Sequence, residues 1–309
     1  MLQLTELQLD FIKVLYPFNE LTYAQFNQLW KNVSGVKTKI SSQLLKKIEG
    51  LGLMTRKLDE GQQRNAKYII NQEEIKNLLE NTARDVLLDV PPAFYQDALP
   101  VKVKARTPNF HDEALKTLLI STISTETGTL IFPRIKTFVE HMMIPDAIIV
   151  KDDRMTYFEY DNLTEEAASF LTKLPRYLYE SKKNPEVKVN LICVFTDETI
   201  QLKGYNNKRV SPPYSRMQSL TEKAGHIKAL NGLPFLEELE KQKNLTLYFF
   251  TYNEVLQRLG PLLNGEIFPD FVQREYPKVE EKKKKVKVQQ LKQEKTKEPQ
   301  DKHEKYIFE

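Results

Sequence analysis

The residues best suited to do chemistry lie close together, between positions 144 and 177. Pro145-Asp-Ala-Ile-Ile-Val150 and Met155-Thr-Tyr-Phe-Glu-Tyr-Asp161 read as two strands, with Lys151-Asp-Asp-Arg154 as the tight turn between them. Side chains alternate faces along a strand, so Tyr157, Glu159 and Asp161 point one way and Phe158 and Tyr160 the other. Asp146, at the mouth of the first strand, is placed to approach Glu159 across the hairpin. Carboxylates gathered at a sheet end are costly without a cation, and hard oxygens at this density suit Mg²⁺ or Mn²⁺. Such an ion binds a scissile phosphate, activates a water and neutralises charge on the leaving group.

Downstream, Thr164 is a candidate cap for a helix running to Glu180 that carries Lys173, Arg176 and Tyr177. Ser169, Lys173 and Tyr177 follow at four-residue spacing and share one face. If that face leans on the hairpin, Lys173 reaches the phosphate and orients or activates the attacking water. A plainer reading stands beside this one: Glu159 and Asp161 line an exposed strand face, where charge is ordinary. Asp152 and Asp153 read as turn formers. His111 opens a helical run and either caps, packs or acts, with Glu113 a weaker candidate beside it. Tyr157 and Tyr177 are candidate nucleophiles that nothing singles out among 14 tyrosines.

The elements upstream have their own logic. Leu4–Tyr16 carries apolar residues at helical spacing; Asn19–Thr22 is polar punctuation, and Thr22 caps a second helix through Trp30. A third helix is expected over Val36–Leu51, ended by Gly50 and Gly52, followed by strands Leu53–Leu58 and Ala66–Ile70 around a polar loop with Gly61 at its tip. Helix, helix, helix, hairpin is the order of a winged helix-turn-helix, whose third helix enters the major groove. Lys37, Lys39, Gln43, Lys46 and Lys47 on that helix, with Arg56, Arg64 and Lys67 on the wing, supply phosphate and base contacts. The competing reading is a solvated amphipathic helix in a protein-docking module.

Past a proline-marked boundary (Pro91, Pro92, Pro100), strands alternate with helices, beginning with a helix over Phe110–Ser121, as in an α/β sheet covered by helices. The expected organisation is therefore a winged helix over 1–84, a linker over 85–100, an α/β domain over 101–277 and a lysine- and glutamate-rich disordered tail over 278–309.

In this order and spacing the motifs resemble the PD-(D/E)xK nuclease pattern with its lysine moved from strand to helix. They are closer still to the replication-relaxation family of mobile elements, related to the MOB-C class of plasmid relaxases. The resemblance rests on a winged helix, His111-Asp-Glu113, Pro145-Asp146, Glu159-Tyr-Asp161, Thr164-Glu165 and Lys173 with Tyr177, and spans roughly residues 1–200. It implies a restriction-endonuclease-like domain and metal-dependent nicking at an origin-like site in double-stranded DNA. Asp146, Glu159 and Asp161 would hold the ion. One position departs from the nuclease pattern: Asp161 stands where a lysine is usual, so catalysis would depend on the reach of Lys173.

Composition narrows the alternatives. Net charge is only +4 among 309 residues, so the distribution of charge, not its sum, must indicate a polyanionic partner. One cysteine, Cys193, excludes a disulfide framework, and it sits in an apolar run as a small hydrophobe. No two of the four histidines are spaced as a ligand pair on a helix. With no apolar run of membrane-spanning length and no secretion leader, a cytoplasmic protein is expected. Three functional readings follow: a relaxase-like endonuclease, a DNA-binding regulator whose α/β domain only dimerises, and an adaptor recruiting transfer or replication proteins through its tail.

Overall fold

The computed structural model describes residues 4–59, 62–82, 110–124, 127–131, 145–163, 165–200, 202 and 212–277. The expected linker and tail lie outside the described residues, as do Gly61 and Thr164. The chain is a mixed α+β protein, with two sheets among the described residues. Among the described residues, no helix is long and apolar enough to cross a membrane.

The first sheet is built into a helical frame in the order α1 (Glu6–Leu15), β1 (Glu20–Thr22), α2 (Tyr23–Ser34), α3 (Ser42–Gly50), β2 (Met54–Asp59), β3 (Gln62–Ile70) and α4 (Gln72–Asn81). Its strand order is β1-β3-β2, antiparallel throughout. Capping boxes start both leading helices: Thr5 with Gln8, and Thr22 with Gln25, satisfy backbone N–H groups that have no helical partner. Phe11 meets Phe26 edge-on at 5.2 Å in a core closed by Leu29, Ile48 and Leu79.

Two expectations need correction here. The third helix begins at Ser42, not Val36, because Ser41 caps Leu44 N and the buried Asn27 amide oxygen takes Ile40 N at 3.0 Å. Lys37 and Lys39 therefore sit in the connection before the helix. The punctuation at 20–22 is a third strand, paired through Leu21 opposite Tyr68.

The second sheet follows α5 (Phe110–Thr122): β4 (Thr129–Ile131), β5 (Ala147–Lys151), β6 (Arg154–Asp161), α6 (Ala167–Leu171), α7 (Leu174–Lys183), β7 (Lys188–Phe195), α8 (Pro213–Ala224), α9 (Phe235–Glu240), β8 (Leu245–Thr251) and α10 (Tyr252–Leu263). Strand order is β4-β5-β6-β7-β8, antiparallel up to β6 and parallel from β6 to β8. Both faces are covered, which is why β7 is buried without alternation from Val189 to Phe195. Tyr157, Leu191, Cys193 and Phe249 pack under α6–α9, while Phe158, Tyr160, Ile192 and Phe250 pack under α5 and α10. The outer edge of β8 is not bare: Phe271 N donates to Leu247 O at 3.0 Å, and Arg274 donates to Phe249 O.

The helix expected over 164–180 is two helices broken at Thr172-Lys173. Pro175, in the first turn of α7, needs no N–H there, and starts the new helix. The described residues up to Tyr276 form one compact unit. Its largest core runs without interruption from Phe11 and Phe26 through Leu115 and Leu118 of α5 to Ile149 and Phe158 of the second sheet.

Candidate functional site

β5 runs antiparallel to β6, so the start of β5 lies beside the carboxyl end of β6. Asp146 N donates to Phe158 O at 2.9 Å, and its Oδ2 accepts Tyr160 N at 2.8 Å, which fixes the carboxylate at that end of the sheet. His111, on the first turn of α5, places Nε2 3.2 Å from the same oxygen and Nδ1 3.4 Å from Asp112. On the other side Glu159, only 3% exposed, accepts Lys173 Nζ on Oε2 at 3.0 Å and the Tyr177 hydroxyl on Oε1. Lys173 also reaches Glu165 at 3.3 Å. The helix break puts Lys173 at the cap position of α7, with Tyr177 one turn on, so one short segment supplies both partners of Glu159.

Burial pushes the Glu159 carboxyl up to about 7, and the nearby Asp146 charge adds to this; Lys173 and the Tyr177 hydroxyl pull the other way. Burial alone would lower His111, but Asp112 and Asp146 outweigh it and raise the imidazole to about 10. Burial would lower Lys173 too, yet Glu159 and Glu165 hold it above the ordinary lysine range. The result is two alternating charge pairs around two carboxylates, His111 on Asp146 and Lys173 on Glu159.

Asp161 is engaged elsewhere. Its Oδ2 accepts Arg216 Nε at 3.0 Å, and its Oδ1 accepts Leu163 N at 2.7 Å. Leu163 has φ 66°, a conformation costing about 1–2 kcal/mol in an L-residue. Burying its side chain contributes about 1.5–3 kcal/mol, and the bond to a charged carboxylate a similar amount, so together they hold the turn. Arg216 also donates to Glu165 O at 2.6 Å. Asp161 thus fixes the chain leaving β6. At 3% and 1% exposed, Glu159 and Asp161 do not line a solvated strand face. Among the described residues, no group of three His, Cys, Asp or Glu side chains is gathered for a metal ion.

The remaining candidates fall into two places. Glu113 faces α2, paired with Lys116 and accepting Gln25 Nε2 at 3.3 Å, away from Asp146. Lys37, Lys39, Gln43, Lys46 and Arg56 are exposed on the front module, while Lys47 is half-buried and donates to Gln8 at 3.2 Å. Lys67 stands directly opposite Lys57 across the hairpin and 3.5 Å from Glu20. Arg64 lies on β3, with its side chain outside the described residues. Arg216 was beyond sequence reasoning, since it lies 55 residues from Asp161 and no local pattern marks it.

No protein-family model, curated protein or solved structure matches the chain.

Proposed function

We propose that the chain is a cytoplasmic DNA-binding protein that reads an origin-like site through a winged helix-turn-helix and nicks one strand there, as a relaxase-like endonuclease with a PD-(D/E)xK-like α/β domain. The observation that carries the chemistry is Lys173 on Glu159 beside Asp146, at the carboxyl end of β6. Mg²⁺ commonly takes one or two protein carboxylates and fills its shell with water and phosphate oxygens. Asp146 and Glu159 fit that demand, because a buried carboxylate raised by a second one is relieved by a cation. Bound there, the ion would neutralise charge at the phosphate. Lys173 would then pass from Glu159 to a phosphate oxygen, while His111, 3.2 Å from Asp146, would keep that carboxylate oriented.

For the front module, support comes from the order of elements and from the strand order β1-β3-β2, with Gln43 and Lys46 on the open face of α3. Lys57, exposed and directly opposite Lys67, adds positive charge to the wing beyond what Glu20 offsets at Lys67. Incubation with supercoiled DNA carrying the region upstream of the coding sequence, plus Mg²⁺ or Mn²⁺, tests this. Metal-dependent open circles, lost on Glu159→Ala or Lys173→Ala, are expected; retarded but uncut DNA would leave only a binding protein.

That second reading, a DNA-binding regulator or relaxase accessory protein with a degenerate nuclease domain, is favoured by one feature. Both oxygens of Glu159 are already occupied, by Lys173 and Tyr177, and Asp161 is tied to Arg216.

A further inference from the structure

Helix α5 is apolar around much of its circumference, which a helix buried on two sides requires. One side meets the second sheet and α10; the other meets α2. The contact with α2 is matched over two turns. Gln25 Nε2 donates to Glu113 Oε2 at 3.3 Å and approaches Thr117 Oγ1 at 3.5 Å, and Asn32 Nδ2 donates to Ile120 O at 2.7 Å. Gln25 to Asn32 and Glu113 to Ile120 are both seven-residue steps, about 10 Å along each helix. Two such ties in register oppose both sliding and rotation. Lys116 adds a bond to Glu20 O at 3.4 Å, and the first turn of the same helix carries His111 onto Asp146.

We propose that α5 is a fixed spacer which sets the distance from the DNA sequence read by α3 to the phosphodiester presented at Glu159, with Gln25 and Asn32 as its positioning residues. The inference rests on the proposed DNA-binding role but does not need the nicking chemistry. A rigid spacer of this kind makes the cut position a property of the protein. The bases at that position then matter little, because a continuous core leaves no slack between the two sites.

The test can be read without native cleavage. Cys193 is fully buried, so a cysteine introduced at exposed Thr172 (Thr172→Cys), next to Lys173, can be labelled uniquely with an iron–EDTA chelate. Bound to duplex DNA from the upstream region, the chelate should cut a window of a few nucleotides. That window should move with the recognised sequence when one to four base pairs are inserted between them. Gln25→Ala with Asn32→Ala should leave binding within about threefold but spread the cuts at least twofold in width. A broad window in the otherwise unaltered protein would overturn the spacer, as would a window that stays with its local sequence, or one unchanged by the double substitution. A sharp, moving window without any metal-dependent nick would retain the spacer and remove the nuclease. Failure to bind any DNA would remove both.

Discussion

Lys173 Nζ, at the break between α6 and α7, lies 3.0 Å from Glu159 Oε2 on β6. Glu159 is buried and Lys173 is about a third exposed, so the pair is asymmetric. Removing the lysine strands a buried carboxylate; removing the carboxylate leaves a lysine that can turn to Glu165 or to water. Lys173→Met should therefore cost on the order of 1–3 kcal/mol at pH 8, and clearly less at pH 5, where Glu159 takes up a proton. Glu159→Gln should cost less, and the double variant should recover most of the loss. Urea midpoints at the two pH values decide it; equal costs at both would show that the pair is not coupled.

The pH dependence of stability has two windows. Glu159 is raised from 4.5 to about 7, so the folded state binds the extra proton between those values. His111 is raised from 6.5 to about 10, and does the same in its own range. In both, the folded chain holds more protons than the unfolded one, so stability falls as pH rises. The contribution of His111 is complete below pH 6.5 and gone above about 10. Thermal midpoints should decline from pH 5 to 10, with His111→Gln flattening the upper limb and Glu159→Gln the lower. Parallel curves for His111→Gln and the natural protein above pH 7 would reject its ion pair with Asp146.

The hairpin of β5 and β6 was legible because short apolar and aromatic runs on either side of a tight Lys-Asp-Asp-Arg turn are local signals. Asp146 beside Glu159 followed from that register alone. The broken helix was legible in principle: Pro175 marks a first turn, but the four-residue spacing of Ser169, Lys173 and Tyr177 suggested one continuous face. Strand β1 is three residues long, too short for periodicity to show. Val36–Ile40 was absorbed into α3 because its apolar positions fit a helical period. The Ser41 cap is a local signal, but the Asn27 amide that takes Ile40 N and holds the chain ahead of it is tertiary. Arg216 and its hold on Asp161 are purely tertiary.

That hold leads to a sharp expectation for metal binding. If Asp146 and Glu159 are the protein ligands, Mn²⁺ affinity measured by electron paramagnetic resonance should drop at least tenfold in Asp146→Asn and in Glu159→Gln. Asp161→Asn should stay within about threefold, while losing about 3 kcal/mol of stability by stranding Arg216. Binding should strengthen from pH 6 to 8 as Glu159 ionises. An Asp161→Asn protein that folds normally and loses Mn²⁺ would return Asp161 to the site.

The front module makes the last prediction. Lys46 is exposed on α3, whereas Lys47 leans on Gln8 of α1 and Lys67 on Glu20. A lysine that neutralises a phosphate releases about one counterion, so Lys46→Ala should reduce the slope of log affinity against log salt by about one. Lys67→Ala should change it less, because the Glu20 carboxylate already shares that charge. Lys46→Glu with Lys47→Glu should abolish retardation near 100 mM salt, a concentration where screening still leaves close phosphate contacts strong. The fold should persist, since exposed Lys46 contributes about 0–1 kcal/mol and the Lys47 bond to Gln8 about 1 kcal/mol. Normal retardation by that double variant would take α3 off the duplex. The lysines would then be a solvated face, and the same three helices and hairpin would serve to dock a protein.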